Sequence, residues 1–163
     1  MSRSQRLVFL ALPCVALLAG CNEAAKFNQE IIDITQELEA TGQEFGEQLS
    51  QYAGQRDKLL QLHTEAVRKV QEIVNRGKRL KVPRLKKAKE LYQAFRRYLA
   101  MEERMVRVEF GGIAYDLGRG DRSRVYDTAM RLQKEELAEV KKIQAAQIAF
   151  AEANNLSVEF PAK

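Results

Sequence analysis

The sequence has no tryptophan, one histidine (His63), two cysteines (Cys14 and Cys21) and three prolines. A zinc site of four cysteines, or of two cysteines and two histidines, is excluded by count. So is a disulfide scaffold, which needs several pairs. Helical di-iron chemistry needs two Glu-x-x-His motifs, and the residue three before His63 is Leu60. Between Pro13 and Pro161 the sole proline is Pro83, too little turn punctuation for a β-sandwich or barrel. What is plentiful is helix-forming composition. Ala, Glu, Lys, Leu and Arg make up 82 of 163 residues, the bias of long helices and coiled coils. The formal charge of +5 suits anionic partners.

The N-terminus reads as an address. Arg3 and Arg6 precede an apolar run from Leu7 to Leu18 of 12 residues, short of the roughly 20 that span a bilayer as a helix. A basic start, a short apolar stretch and small residues make a secretory signal. The run ends Leu18-Ala19-Gly20-Cys21. This resembles the lipobox of bacterial lipoproteins, over the N-terminal segment only. The resemblance implies diacylglyceryl transfer to the Cys21 thiol, cleavage before Cys21 by a type II signal peptidase, and acylation of the new amine, commonly with palmitate. Two or three acyl chains hold a protein firmly where one does not. Residues 1–20 would then be signal peptide and 21–163 the mature helical domain. Cys14 would be discarded, leaving no free thiol. Asn22, where the family places Asp for inner-membrane retention, leans toward the outer membrane.

From Phe27 onward apolar residues fall at helical spacing. Ile31, Leu38, Phe45, Tyr52, Leu59, Ala66 and Ile73 recur every seven residues, with Phe27, Ile34, Leu49 and Val70 as a second stripe. Sustained heptads predict a supercoiled helix packed on partners. The spacing predicts a first helix over 24–75, stopped at Asn75-Arg76-Gly77. Gly42, Gly46 and Gly54 weaken its middle, so its N-terminal part either projects as a stalk or folds back at the glycines. Gly42 and Gly46 share a face, which suits close helix contact. A second helix over 84–117 carries Leu85, Tyr92, Leu99, Val106 and Ile113, with Pro83 at its start and Gly111-Gly112 inside it. Gly118-Arg119-Gly120 is a turn. Asp121 or Ser123 can cap a third helix over 122–153, with Tyr126, Met130, Leu137, Val140 and Ile148, joined by Ala129, Leu132 and Ile143, as its apolar positions. The fold expected is all-α: three long helices in an up-down-up, coiled-coil-like bundle after the signal segment.

Charge is segregated. Residues 22–50 hold seven acids and one base, whereas 76–107 hold twelve bases and three acids. Arg76, Lys78, Arg79, Lys81, Arg84, Lys86, Lys87 and Lys89 run without an intervening acid. Cations at the start of a helix oppose its dipole, which invites a functional explanation. On a three-helix reading this elbow is distal to Cys21. It would meet an anionic envelope polymer, a partner protein or the facing membrane. Its competing readings are a solvated turn and pairing with the acidic first helix. No aromatic interleaves the run, so base stacking is unsupported and no nucleic-acid partner is expected. Glu102, Glu109 and Asp116 recur every seven residues and read as a solvated face, and His63 as a boundary position. The function expected is a lipid-anchored, non-enzymatic cell-envelope spacer, scaffold or adaptor facing the periplasm, with no metal and no cofactor beyond the lipid at Cys21. One alternative is a periplasmic holdase chaperone. Another follows from Lys163: the chain is similar to murein lipoproteins, whose C-terminal lysine is joined to peptidoglycan, in its lipobox, heptads and final lysine, though not in length.

Overall fold

The computed structural model describes residues 23–156. Leu18, Ala19, Gly20, Cys21 and Lys163 lie outside them. Helix α1 is Glu23–Gln51 and α2 is Arg56–Lys78. Helix α3 runs Ala88–Arg104, passes through a π turn at Met105–Glu109 and continues as Phe110–Arg119. Helix α4 is Arg122–Ala153. The described residues therefore form a helical bundle of four elements, and the single helix over 24–75 is overturned.

The reversal comes at Tyr52–Gln55. Gly54 takes φ +85°, a left-handed conformation that glycine adopts without steric cost. The heptad hides this turn, because Phe45, Tyr52 and Leu59 keep their seven-residue spacing straight through it. Ion pairs Lys69–Glu44 at 3.0 Å and Arg76–Glu37 lock α2 antiparallel to α1. Helix α3 lies antiparallel to α2 in turn. Gly77, expected as a helix stop, is instead buried in the last turn of α2. A Cβ there would meet Leu99 Cδ1 at 2.7 Å, so the residue is small to let the two helices approach. Near the other end, a Cβ on Gly118 would meet Arg56 at 3.1 Å.

Pro83 is not in the first turn of a helix. Residues 79–87 form a loop that climbs beyond the end of α2, with Leu80, Val82 and Leu85 packed on the core in its place. The loop ends at Lys87 with φ 61°, and α3 starts at Ala88. Gly120 at φ +80° ends α3, and the Asp121 carboxylate caps α4 by accepting from the Arg124 N–H at 3.3 Å.

The heptad residues of α1, α2 and α3 fill the core, which includes Ile31, Leu59, Leu91, Phe95 and Leu99 at 0 % exposure. Burying each such side chain contributes roughly 1.5–3 kcal/mol. On α4 the expected Leu132, Val140 and Ile143 are buried together with Phe150, whereas Tyr126 and Met130, expected on the same stripe, are half exposed. No helix among the described residues is long and apolar enough to cross a membrane.

Candidate functional site

The predicted basic elbow lies at one end of the bundle, and the fold decides which end. The Phe27 and Phe150 rings meet edge to face at 5.8 Å. One turn before Phe27 is Glu23, where the chain enters from Cys21. One turn after Phe150 is Asn154, whose side-chain amide donates to the Lys86 carbonyl at 2.9 Å. The first described residue and the elbow are therefore level. The elbow lies at the Glu23 end of the described bundle, because the extra hairpin adds one reversal of direction.

The eight bases divide into two groups. Arg76 pairs with Glu37, Lys78 with Glu103 at 2.7 Å, and Lys87 with Glu90 at 3.3 Å. Lys78 holds the half-buried Glu103 carboxyl below its ordinary range. Only the Arg76 pair reaches the acidic first helix. Arg79, Lys81, Arg84, Lys86 and Lys89 are exposed, and among the described residues no acid lies within 4 Å of them. Arg79 and Lys81 follow α2, Arg84 and Lys86 lie later in the loop, and Lys89 is in the first turn of α3.

The opposite half of the bundle carries a groove of about 170 Å³ between α1 and α4, floored by the second half of α3. Gly42, Phe45, Gly46 and Leu49 form one wall, Val125, Ala129 and Leu132 the other, and Phe110, Ile113 and Leu117 the floor. Gly42 and Gly46 thus face a groove. Phe45 stacks on Phe110 at 5.3 Å.

Glu136 closes one end of the groove. It belongs to a set of three carboxylates that repel one another: Glu39 on α1, Glu102 on α3 and Glu136 on α4. Burial first, then Glu136 and Glu39, push Glu102 up to about 8, even though the Tyr98 hydroxyl hydrogen-bonds to it. Burial, then Glu39, push Glu136 up to about 7, and burial raises Glu39. Among the described residues no lysine or arginine relieves the three. No group of three His, Cys, Asp or Glu among those residues is arranged to hold a metal ion.

Glu102 is therefore not part of a solvated face with Glu109 and Asp116. The π turn at Met105–Glu109 inserts a residue between them and rotates the helix. Glu109 instead pairs with Arg131 at 2.6 Å and Arg104 at 3.0 Å, and Asp116 with Arg124 at 4.0 Å. His63 explains the π turn. Its Nε2–H donates to the Val106 carbonyl at 2.8 Å, while the Phe110 N–H bonds to Met105. A Cβ on Gly111 would touch the His63 ring at 3.0 Å. The histidine, the glycine and the turn form one unit.

Sequence reasoning missed the carboxylate set. Glu39 adjoins the core residue Leu38, and Glu136 falls one turn before Val140, so both sit at the edge of an apolar stripe. That placement was the available signal, but it names no partner across helices.

Comparison of the chain with protein-family models, with curated proteins and with solved structures finds no match in any of the three.

Proposed function

We propose that this protein is a lipid-anchored, non-enzymatic scaffold or adaptor of the bacterial cell envelope, held in its membrane by acyl chains on Cys21 and facing the periplasm. The lipobox-like Leu18-Ala19-Gly20-Cys21 sequence motivates the anchor. The observation that carries the reading is the position of Glu23. The chain enters the bundle two residues after Cys21, at the end face that also bears the unpaired bases. The bundle then stands on the membrane by that face and presents its groove at the far end. Metabolic labelling with radioactive palmitate should mark the wild-type chain and not Cys21→Ala. Equal labelling of both would remove the anchor.

One observation favours a second reading, the holdase chaperone. The groove is apolar and open, and half-exposed Tyr126 and Met130 stand on the helix that forms one wall. Exposed apolar surface of this kind receives apolar segments of other chains. On this reading the protein suppresses aggregation of an unfolding client in vitro, and Met130→Glu with Ala129→Glu abolishes the effect. No suppression by the wild type would leave the scaffold reading alone.

A further inference from the structure

We infer that the ring of unpaired bases around the loop 79–87 is a contact surface for anionic phospholipid headgroups of the membrane that holds the chain. This deepens the proposed function and rests on its reading of Cys21. The argument begins with reach. Two residues of extended chain span at most about 7 Å, so an anchored Cys21 sets Glu23 within that distance of the headgroups. Lys86 is level with Glu23 through the Phe27–Phe150 contact and the bond from Asn154 to the Lys86 carbonyl. Neighbouring helices stand roughly 8–10 Å apart, so the ring lies beside the anchor and not above it. The attraction of an anionic surface decays over a Debye length, about 8 Å at physiological salt. Lys86, and with it the end of the loop that leads into α3, falls inside that layer.

The local charge agrees. The bases of the loop and its flanks, Lys26, Lys81, Arg84, Lys86, Lys87 and Lys89, and the acids Glu23, Glu90 and Glu152 are all exposed, six cations against three anions. Glu90 is already taken up by Lys87. The loop's apolar side chains Leu80, Val82 and Leu85 are turned to the core. Every charged side chain of the loop is a cation. Lysines at the start of α3 work against the helix dipole, a cost that an apposed anionic surface offsets. A polybasic patch next to an acyl anchor is the two-signal arrangement that makes membrane attachment firm. It also fixes orientation. Acyl chains alone leave the bundle free to tumble on its tether, whereas a charged face on one end holds the long axis upright.

The test uses the acylated mature chain purified from membranes and incorporated into two vesicle types, phosphatidylcholine alone and phosphatidylcholine with phosphatidylglycerol. Amine acetylation, read residue by residue by mass spectrometry, reports Lys81, Lys86 and Lys89. Exposed Lys134, halfway along α4, is the internal reference. Each base near an anionic surface is worth roughly fivefold in partition. The ring lysines should react several-fold more slowly in the phosphatidylglycerol vesicles, high salt should reverse this, and Lys134 should be unchanged. Replacing Arg84, Lys86 and Lys89 by Gln, which breaks no ion pair seen here, should remove the slowing at Lys81. Equal rates in the two vesicle types would overturn the proposal. So would slowing by added peptidoglycan with none from anionic vesicles, which would assign the ring to the wall polymer. An intact mass lacking acyl chains would defeat the anchor reading separately. The headgroup comparison still reads the ring in that case, because the vesicles differ only in charge.

Discussion

At the scale of single residues, two glycines next to each other in α3 have opposite roles. Gly111 makes room for the His63 ring, and a Cβ there would come within 3.0 Å of it. Gly112 has nothing within 4 Å and ordinary helical backbone. Gly112→Ala should therefore stabilise the protein by up to about 1 kcal/mol through helix propensity. Gly111→Ala should lose about 1–3 kcal/mol by crowding the histidine. Urea unfolding of both variants checks the pair, and equal effects would show that His63 does not depend on the space. Glu102 makes a different kind of prediction. An unfolded glutamate ionises near about 4.3, whereas folded Glu102 keeps its proton up to about 8. The unfolded chain releases that proton first as pH rises. Its contribution to stability is thus complete below about 4.3 and lost progressively as the pH climbs to about 8. Glu136, raised to about 7, acts in the same direction. Glu102→Gln should flatten the decline between pH 5 and 8, roughly the range between those pKa values, and raise the melting temperature most at the alkaline end. A wild-type stability that rises through this range would contradict the buried carboxylate set.

At the scale of elements, two irregularities shape the bundle. The turn at Tyr52–Gln55 depends on Gly54 at φ +85° with open space around it. The penalty for a side chain there is conformational and not steric crowding. Gly54→Ala should lose about 1–2 kcal/mol, measured by chemical denaturation, with no change in helix content by circular dichroism. A stabilising effect would mean that α1 and α2 are continuous. The π turn in α3 is the second irregularity. It changes the facing of everything after Arg104, so that Glu109 leaves the face of Glu102 and reaches Arg104 and Arg131. A heptad count has no means of seeing this. The seven-residue spacing of Glu102, Glu109 and Asp116 is real in sequence and broken in space by one inserted residue.

At the scale of the whole molecule, the number of reversals decides which surfaces share an end. With three helices the elbow would point away from the end that holds Glu23. With four it lies beside the point of entry, and the groove takes the far end. The two arrangements differ in size. The longest element observed, α4, has 32 residues and spans roughly 48 Å at 1.5 Å per residue. A straight first helix over 24–75 would extend to roughly 80 Å. Small-angle X-ray scattering of the mature protein should give a maximum dimension near the first figure, and a value near the second would restore the stalk.

Much of this was legible in one sequence. Composition and period specified an all-helical chain, because apolar residues at 3.5-residue spacing have no other way to bury together. They also specified most of the core on α1, α2 and α3 and narrowed the cap of α4 to Asp121 or Ser123, of which Asp121 is the one used. Three things only the tertiary structure decided. A heptad is blind to direction, so Gly54 alone could not say whether the chain bent or reversed. A seven-residue repeat is blind to an inserted residue, so the π turn stayed hidden until His63 was seen against the Val106 carbonyl. Partners across helices are set by packing and not by spacing. Glu39, Glu102 and Glu136, distant in sequence and alike in charge, meet only because four helices close around them.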